Sequence, residues 1–428
     1  MLKRHILVLN LVWLIGLFLF PMPLVLMLNH VMVNTSGWQQ LYVDAGLIAY
    51  SWWLFAVWLA TRPAWIEKLI GLPKMYFIHS ILGSTALVLA FIHQHYLFSM
   101  DPLIKLTGHW AWYLTLFGFF YACFFLSGFL VNHFALMDRL KKSLQPVFRH
   151  QFSMWVHRLN LIVIALIWLH VHLIGRITQY SSFMILFDTY TAVILLSYIW
   201  WQLNKQNLAG TVVSNFLLSK TTRQLSIQLA QTLDHVPAGA YFFLSVKQKH
   251  FIMTEPHPYS ITFAPEQPTN LLTFTIKMLG DDTRELTAVA AGDHVRLSGP
   301  FGLFDTIVNQ RPHAPLILIG LGTGIAPLLS LAEQYHDQRE IHVLWTTKSL
   351  EEQYYKSRLD KMVNDHFRYD LQAGRFKYAQ LDQLIKSDER KDGQFIIVGS
   401  PLAMRSIQKQ LRQLGISRAQ MHNEQFVL

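Results

Sequence analysis

The sequence predicts a membrane all-α six-helix domain followed by a soluble module, made of an antiparallel β-barrel and a parallel α/β domain. Three observations carry that prediction. The first is composition: 52% of the 428 residues are hydrophobic and only 14% charged, against about 25% charged for an ordinary soluble chain. The second is asymmetry. Residues 1–205 hold 13 Lys and Arg and 5 Asp and Glu, whereas residues 206–428 hold 23 and 21. The third is rhythm: long apolar runs give way to short β-rich runs, and these to strand–helix alternation. Domains are therefore expected over 1–205, 206–308 and 309–428.

In the first domain, six runs are long enough to cross a hydrocarbon core, which takes about 20 helical residues. They lie near 6–29, 41–60, 76–98, 110–132, 155–175 and 182–203. Basic residues collect at the N-terminus (Lys3, Arg4), in the second connection (Arg62, Lys68, Lys74) and in the fourth (Arg139, Lys141, Lys142, Arg149). The positive-inside rule then places both termini in the cytoplasm of a multi-pass cell-membrane protein whose first partner is the bilayer. The net charge of +10 is largely this topology signal and gives no reason to expect nucleic acid. The single cysteine, Cys123, excludes an intrachain disulfide and disfavours a thiolate metal site. No cleavable leader is expected, since the first apolar run is too long.

Two of the apolar runs carry histidines at both ends. HSILGSTALVLAFIHQH places His79 and His93 fourteen residues apart, roughly 21 Å along a helix and within about 40° of one face. WVHRLNLIVIALIWLHVH places His157 at one end and His170 and His172 at the other. Imidazoles gain nothing from lipid, so ionisable groups there are usually functional. Two helices with imidazoles at two matching depths suit two stacked haems, each iron held by a pair of histidines. On an ideal helix His170 faces about 140° from His157 and His172 about 60°. Periodicity alone therefore prefers His172, and a tilt or local bulge is needed for His170. Arg158 and Arg176, beside the inner and outer histidines, are candidates for haem propionates.

Beyond residue 205, TVVSNFLLS, RQLSIQLA, GAYFFLSV, LLTFTIKML and HVRLSGPFG read as strands of a small antiparallel barrel. EPHPYSIT follows one of them, and an aromatic and a hydroxyl residue at a strand end are suited to a flavin. Ile276 and Lys277, with Thr283 of the GDDT turn, are candidates for the same cofactor and its phosphates. From about 312, strand and helix alternate. LILIGLGTGIAPLLSLA sets Gly320, Gly322, Thr323, Gly324 and Pro327 between a strand and a helix, where glycines admit a pyrophosphate and the helix N-terminus supplies N–H groups. Lys348, at the end of the next strand, is a candidate for the 2′-phosphate of NADPH. Gly399 and Pro401 form a further strand-to-helix turn.

Taken together, His79/His93, the HRL at 157–159 with His170, HPYSI at 257–261, GPFG at 299–302, GLGTGIAP at 320–327, GSP at 399–401 and NEQF at 423–426 resemble the superfamily of NADPH oxidases and transmembrane ferric reductases. The likeness is nearest to the compact bacterial NADPH oxidases, and the pieces occur in that superfamily's order. It implies two b-type haems on a six-helix domain, with a ferredoxin-reductase-like module binding FAD and NADPH (NADH being possible). It implies inner ligands His79 and His157 and outer ligands His93 and His170. His257, Pro258, Tyr259, Ser260 and Ile261 would form the flavin motif, and Phe426 would shield the flavin ring. The family's usual Cys is replaced here by Gly399, and His257 stands where soluble flavin reductases commonly use Arg. The expected activity is electron transfer from cytosolic NAD(P)H through FAD and the haems to an external small molecule. Dioxygen, giving superoxide, is the first expectation. The alternatives are a ferric chelate, or donation to a partner protein or quinone. No obligatory regulatory subunit is expected.

Overall fold

In a computed structural model, residues 10–32, 36–126, 150–204, 208–247, 256–278 and 286–423 are described. The chain divides near residue 205 into two compact units.

The first unit is helical. Six helical spans, Asn10–Val31, Gly37–Ala60, Leu72–Tyr96, Pro102–Leu126, Ser153–Leu173 and Ser181–Leu203, are long and apolar enough to cross a membrane. We label their regular helices α1 (Met22–Val31), α2 (Gly37–Ala60), α3 (Leu72–Tyr96), α4 (Pro102–Tyr121), α5 (His150–Arg158), α6 (Asn160–Leu173) and α7 (Ser181–Leu203). Helix α2 packs along α3, and α4 along α6. The unit's core joins Leu24 and Leu28 of α1 to Val43, Leu47, Tyr50 and Leu54 of α2 and to Phe183 and Phe187 of α7. A buried hydrogen bond from Tyr50 to Thr191, 2.9 Å long, ties α2 to α7.

Two boundaries differ from expectation for local reasons. Helix α4 starts at Pro102, well ahead of 110. The Asp101 carboxylate accepts from the Leu103 and Ile104 amides at 2.8 and 3.1 Å, and proline is suited to the first helical turn. Lys105 lies within this helix, its ammonium 4.5 Å from the centre of the Phe98 ring. The fifth span is broken at Leu159 into α5 and α6. There the Leu159 amide bonds back to Val156 and the Ile162 amide to Leu159, at 3.1 and 2.9 Å. The turn is thereby tightened to i→i−3 pairing. The Asn160 side chain donates to the His157 carbonyl at 2.8 Å.

In the second unit, six antiparallel strands come first: β1 (Leu208–Ser219), β2 (Thr222–Leu233), β3 (Tyr241–Lys247), β4 (His257–Ser260), β5 (Thr269–Lys277) and β6 (His294–Phe301). Their order is β4-β3-β6-β1-β2-β5. The two outer strands are bridged through Ile261 and Phe274, with Thr262 N donating to Thr273 O at 2.8 Å. The sheet thus curls into the expected barrel around Val212, Ile227, Phe242, Leu272 and Phe274. HPYS was expected at a strand end; it is itself β4, paired with Tyr241–Leu244 of β3.

The five following strands, β7 (Leu316–Leu321), β8 (Ile341–Thr347), β9 (Phe367–Ala373), β10 (Gln394–Val398) and β11 (Met421–His422), are parallel in the order β11-β10-β7-β8-β9. One apolar layer, with Leu316, Leu318, Val343 and Trp345, covers one face. A second, with Ile317, Ile319, Phe395 and Ile397, covers the other. Burial on both faces explains why these strands read as continuous apolar runs. The order reverses between β7 and β10, so the crevice at their carboxyl ends is the topological switch point where open α/β sheets bind ligands.

Candidate functional site

The four expected histidines occupy two levels of the helical unit. The His79 and His157 rings stand 5.8 Å apart between centroids, at an interplanar angle of 61°. Metal–imidazole bonds of about 2 Å would put two rings on opposite sides of one metal about 6 Å apart. His93 and His170 form the second level and lie within electrostatic reach of each other.

Three of the four rings are oriented by main chain. His79 Nδ1 lies 2.9 Å from Ala56 O, and His93 Nδ1 lies 2.9 Å from Tyr42 O, both on α2. His170 Nδ1 lies 3.0 Å from Ile104 O on α4, with Thr107 Oγ1 at 3.2 Å. A carbonyl only accepts, so each Nδ1 carries the proton and each Nε2 keeps its lone pair. A second-shell bond of this kind fixes the tautomer of a metal-bound imidazole. His157 differs: its neighbour is the Asn160 amide, 3.5 Å from Nδ1. Among the described residues, no cluster of three or more His, Cys, Asp or Glu forms a metal site. The facing His79 and His157 imidazoles are donors of the type that hold haem iron.

His172 is engaged elsewhere. Its Nδ1 bonds to Trp168 O at 2.8 Å, its Nε2 lies 3.2 Å from the Asp188 carboxylate, and its ring lies 4.0 Å from that of Trp168, tilted by 36°. His170, by contrast, keeps its Nδ1 at 3.0 Å from Ile104 O on α4. Arg176 sits in the short helix Gly175–Thr178 and acts electrostatically on His93. Arg158 lies over the Trp155 ring at 5.1 Å.

In the second unit, the turn after β7 is Gly322–Gly324, followed at once by α8 (Ile325–Tyr335). Gly320 was expected in this turn. It is instead in the strand, where a Cβ would meet Ile325 Cα at 3.1 Å, so it allows the helix to approach. Gly322 has φ +65°, and no atom lies within 4 Å of where its Cβ would stand. The turn therefore faces open space with a left-handed backbone that glycine adopts freely. Thr323 is half-buried and Pro327 buried in the first turn of α8. A Cβ on Gly324 would meet the Val398 carbonyl carbon at 2.6 Å and Gly399 N at 3.0 Å, which sets the two strand-to-helix turns edge to edge. Pro401 opens α9 (Pro401–Gln413) beside them. Lys348 is exposed just after β8, its amide donating to Glu352 at 3.2 Å.

On the barrel, His257, Pro258, Tyr259 and Ser260 are half-buried along β4, and Lys277 is half-buried at the end of β5. Ile261 and Ile276 belong to the barrel core, so their side chains point away from any ligand on its outside. Thr283 and Phe426 lie outside the described residues.

Sequence reasoning missed a rigid connection between the two halves of this unit. Trp345 Nε1 donates to Gly322 O at 2.9 Å, holding the glycine turn. Its ring lies 6.4 Å from that of Tyr355, inclined by 30°. The Tyr355 hydroxyl donates to Gln224 on β2 at 3.0 Å and meets Thr275 on β5 at 2.6 Å. Burial pushes this hydroxyl's pKa up, so it remains a donor. The sequence signal was a single tryptophan in the run IHVLWTT.

No family model matches the chain. Among curated proteins it is similar to the flavohemoprotein of Oceanobacillus iheyensis, 26% identical over 154 residues, covering 33% of this chain and 37% of that one. It is similar to flavohemoprotein A of Dictyostelium discoideum, 30% identical over 149 residues, covering 32% and 36%. It is also similar to the ferredoxin–NAD(P)+ reductase component of the naphthalene 1,2-dioxygenase system of Pseudomonas putida, 26% identical over 235 residues, covering 51% and 69%. The chain thus spans little more than a third of the length of either flavohemoprotein. With the sheet topology above, these similarities define a flavohemoprotein-like reductase module of the ferredoxin-reductase fold, preceded by six apolar helices.

Proposed function

We propose that this chain is a transmembrane NAD(P)H oxidoreductase that moves electrons from cytosolic NAD(P)H, through FAD and two b haems, to an acceptor outside the cell membrane. The first acceptor is dioxygen, with superoxide as product. The observation that carries the reading is the two-level arrangement of histidines, three with Nδ1 committed to main-chain carbonyls and Nε2 left to bind iron.

When bound, the flavin accepts a hydride and releases electrons singly, and the haems carry them one at a time. The chain's own residues do the positioning. His79 and His157 would hold the inner iron, and His93 and His170 the outer. With two histidines assigned to each iron, the chain would leave an acceptor no open metal position, which suits small, weakly bound acceptors. Arg176 would face the propionates of the outer group and Arg158 those of the inner. Tyr259 and Ser260 would border the flavin, and Lys277 would neutralise its phosphates. The Gly322–Gly324 turn and the first amides of α8 would take the nicotinamide pyrophosphate, with Lys348 near the adenosine end.

The deciding experiment is a visible spectrum of the purified chain under argon before and after NADPH, followed by air with a dismutase-sensitive cytochrome c assay. Reduced b-type bands that vanish in air with dismutase-sensitive signal support the proposal. Bands that persist in air and collapse on ferric citrate make the acceptor a ferric chelate. A colourless protein overturns it.

A further inference from the structure

The three anchored histidines share a seat that the sequence does not advertise. His93 reaches Tyr42 O, and the residue four further along α2 is Gly46. His170 reaches Ile104 O, and the residue four further along α4 is Gly108. His79 reaches Ala56 O, and four further stands Ala60. The repeat has a geometric reason. Cα–Cβ bonds tilt toward the helix N-terminus, so the side chain at i+4 overhangs the carbonyl of residue i. A ring approaching that carbonyl from a neighbouring helix passes close to this side chain; His79 does so past the small Ala60 methyl, whereas the approaches of His93 and His170 run closer to the i+4 Cα.

The clearances make the requirement quantitative. A Cβ added at Gly46 would come within 2.7 Å of Cγ and Cε1 of His93, and nearer still to Nδ1. A Cβ at Gly108 would come within 3.2 Å of His170 Cε1 and 3.4 Å of its Nδ1. Both helices would otherwise prefer alanine, the better helix former. Gly83 on α3, between His79 and His93, has nothing within 4 Å of its Cβ position.

We propose that Gly46 and Gly108 are positioning residues of the outer haem site: each removes the side chain that would block a ligand histidine's Nδ1 from the carbonyl one helical turn earlier. Gly46 is the strict member and Gly108 the tolerant one. The inference rests on His93 and His170 being the outer ligands.

The test uses the full-length chain in detergent, with haem-to-protein ratio, low-spin electron paramagnetic resonance and midpoint potentials as readouts. The expected ratio is two for the unmodified chain and one for His93→Ala. Gly46→Ala should fall toward one, or keep two with altered outer g-values. Gly108→Ala should keep both haems with a shifted potential at one of them. Gly37→Ala, at the start of α2 with nothing within 4 Å of its Cβ position, should change nothing. If Gly46→Ala does not yield folded protein, Gly108→Ala against Gly37→Ala reads the same effect under milder strain. Two haems with unmoved g-values and potentials in both Gly46→Ala and Gly108→Ala overturn the proposal. Two haems in His93→Ala overturn instead the ligand assignment beneath it.

Discussion

His170 and His172 are two residues apart, yet their environments divide the work sharply. His172 spends one nitrogen on its own helix and the other on Asp188. His170 spends only Nδ1, on Ile104 O. We expect His170→Ala to lower haem content from two to one, and His172→Ala to leave it at two, as read by the pyridine haemochromogen assay. The reverse pattern would assign the outer iron to His172. Gly399 makes a second argument at this scale. A Cβ there would stand 2.5 Å from Leu321 Cβ, so the place a side chain would take at this turn is filled by a neighbouring leucine. Gly399→Cys is therefore an overpacked variant, expected to cost about 1–3 kcal/mol. Leu321→Ala in the same chain should recover part of that loss. Simple addition of the two single effects in a double-mutant cycle would exclude this contact as the cause.

At the scale of the element, the Gly322–Gly324 turn is only as well placed as its anchor. The Trp345 indole holds Gly322 O, and a net hydrogen bond is worth about 0.5–1.5 kcal/mol. Trp345→Phe is expected to weaken nucleotide binding roughly two- to tenfold while flavin content stays constant. Stopped-flow flavin reduction against NAD(P)H concentration measures it, and an unchanged apparent Kd would remove the anchoring role. The broken helix of the fifth span is the other decisive element. The Asn160 side chain occupies the His157 carbonyl at the break, and α4 makes room for it at Gly118, where a Cβ would meet Asn160 Oδ1 at 3.0 Å.

For the whole molecule, the far edge of the parallel sheet holds a closed charge group. His342, 1% exposed, lies between Asp370 at 2.8 Å and Glu389 at 3.4 Å, and Arg368 grips both Glu389 oxygens at 2.9 Å. Burial pulls the Glu389 carboxyl up. Hydrogen bonding and charge from His342, with the Lys386 amide and Arg368, outweigh it and hold the group below the ordinary carboxylate range. Since the folded pKa is depressed, the stability it gives is fully present above about pH 4.5, the unfolded value. That stability is lost as pH falls through the lower folded value. Acid unfolding of the Glu389→Gln chain should accordingly be less steep below pH 4.5 than that of the unmodified chain. Equal steepness would show that this group does not govern acid stability.

Much of this architecture was legible because it rests on local, periodic physics. Runs of about 20 apolar residues announce spans, and alternation of short strands with turns announces a barrel. Buried parallel strands read as unbroken apolar runs, and His79 and His93 declare themselves by polarity in an apolar run. Gly320 was read as turn because a glycine that clears a helix looks like one that bends a chain. The sequence by itself determined the six apolar runs, the strand and helix organisation after residue 205, the residue types at the histidine levels and the glycine turn after β7. Only the tertiary structure seated His170 on Ile104 O, His93 on Tyr42 O and His79 on Ala56 O, and set Gly46, Gly108 and Trp345 against the groups they meet. Those facts depend on which helix or strand lies beside which, and one strand's periodicity holds no information about the clearance left by its neighbour.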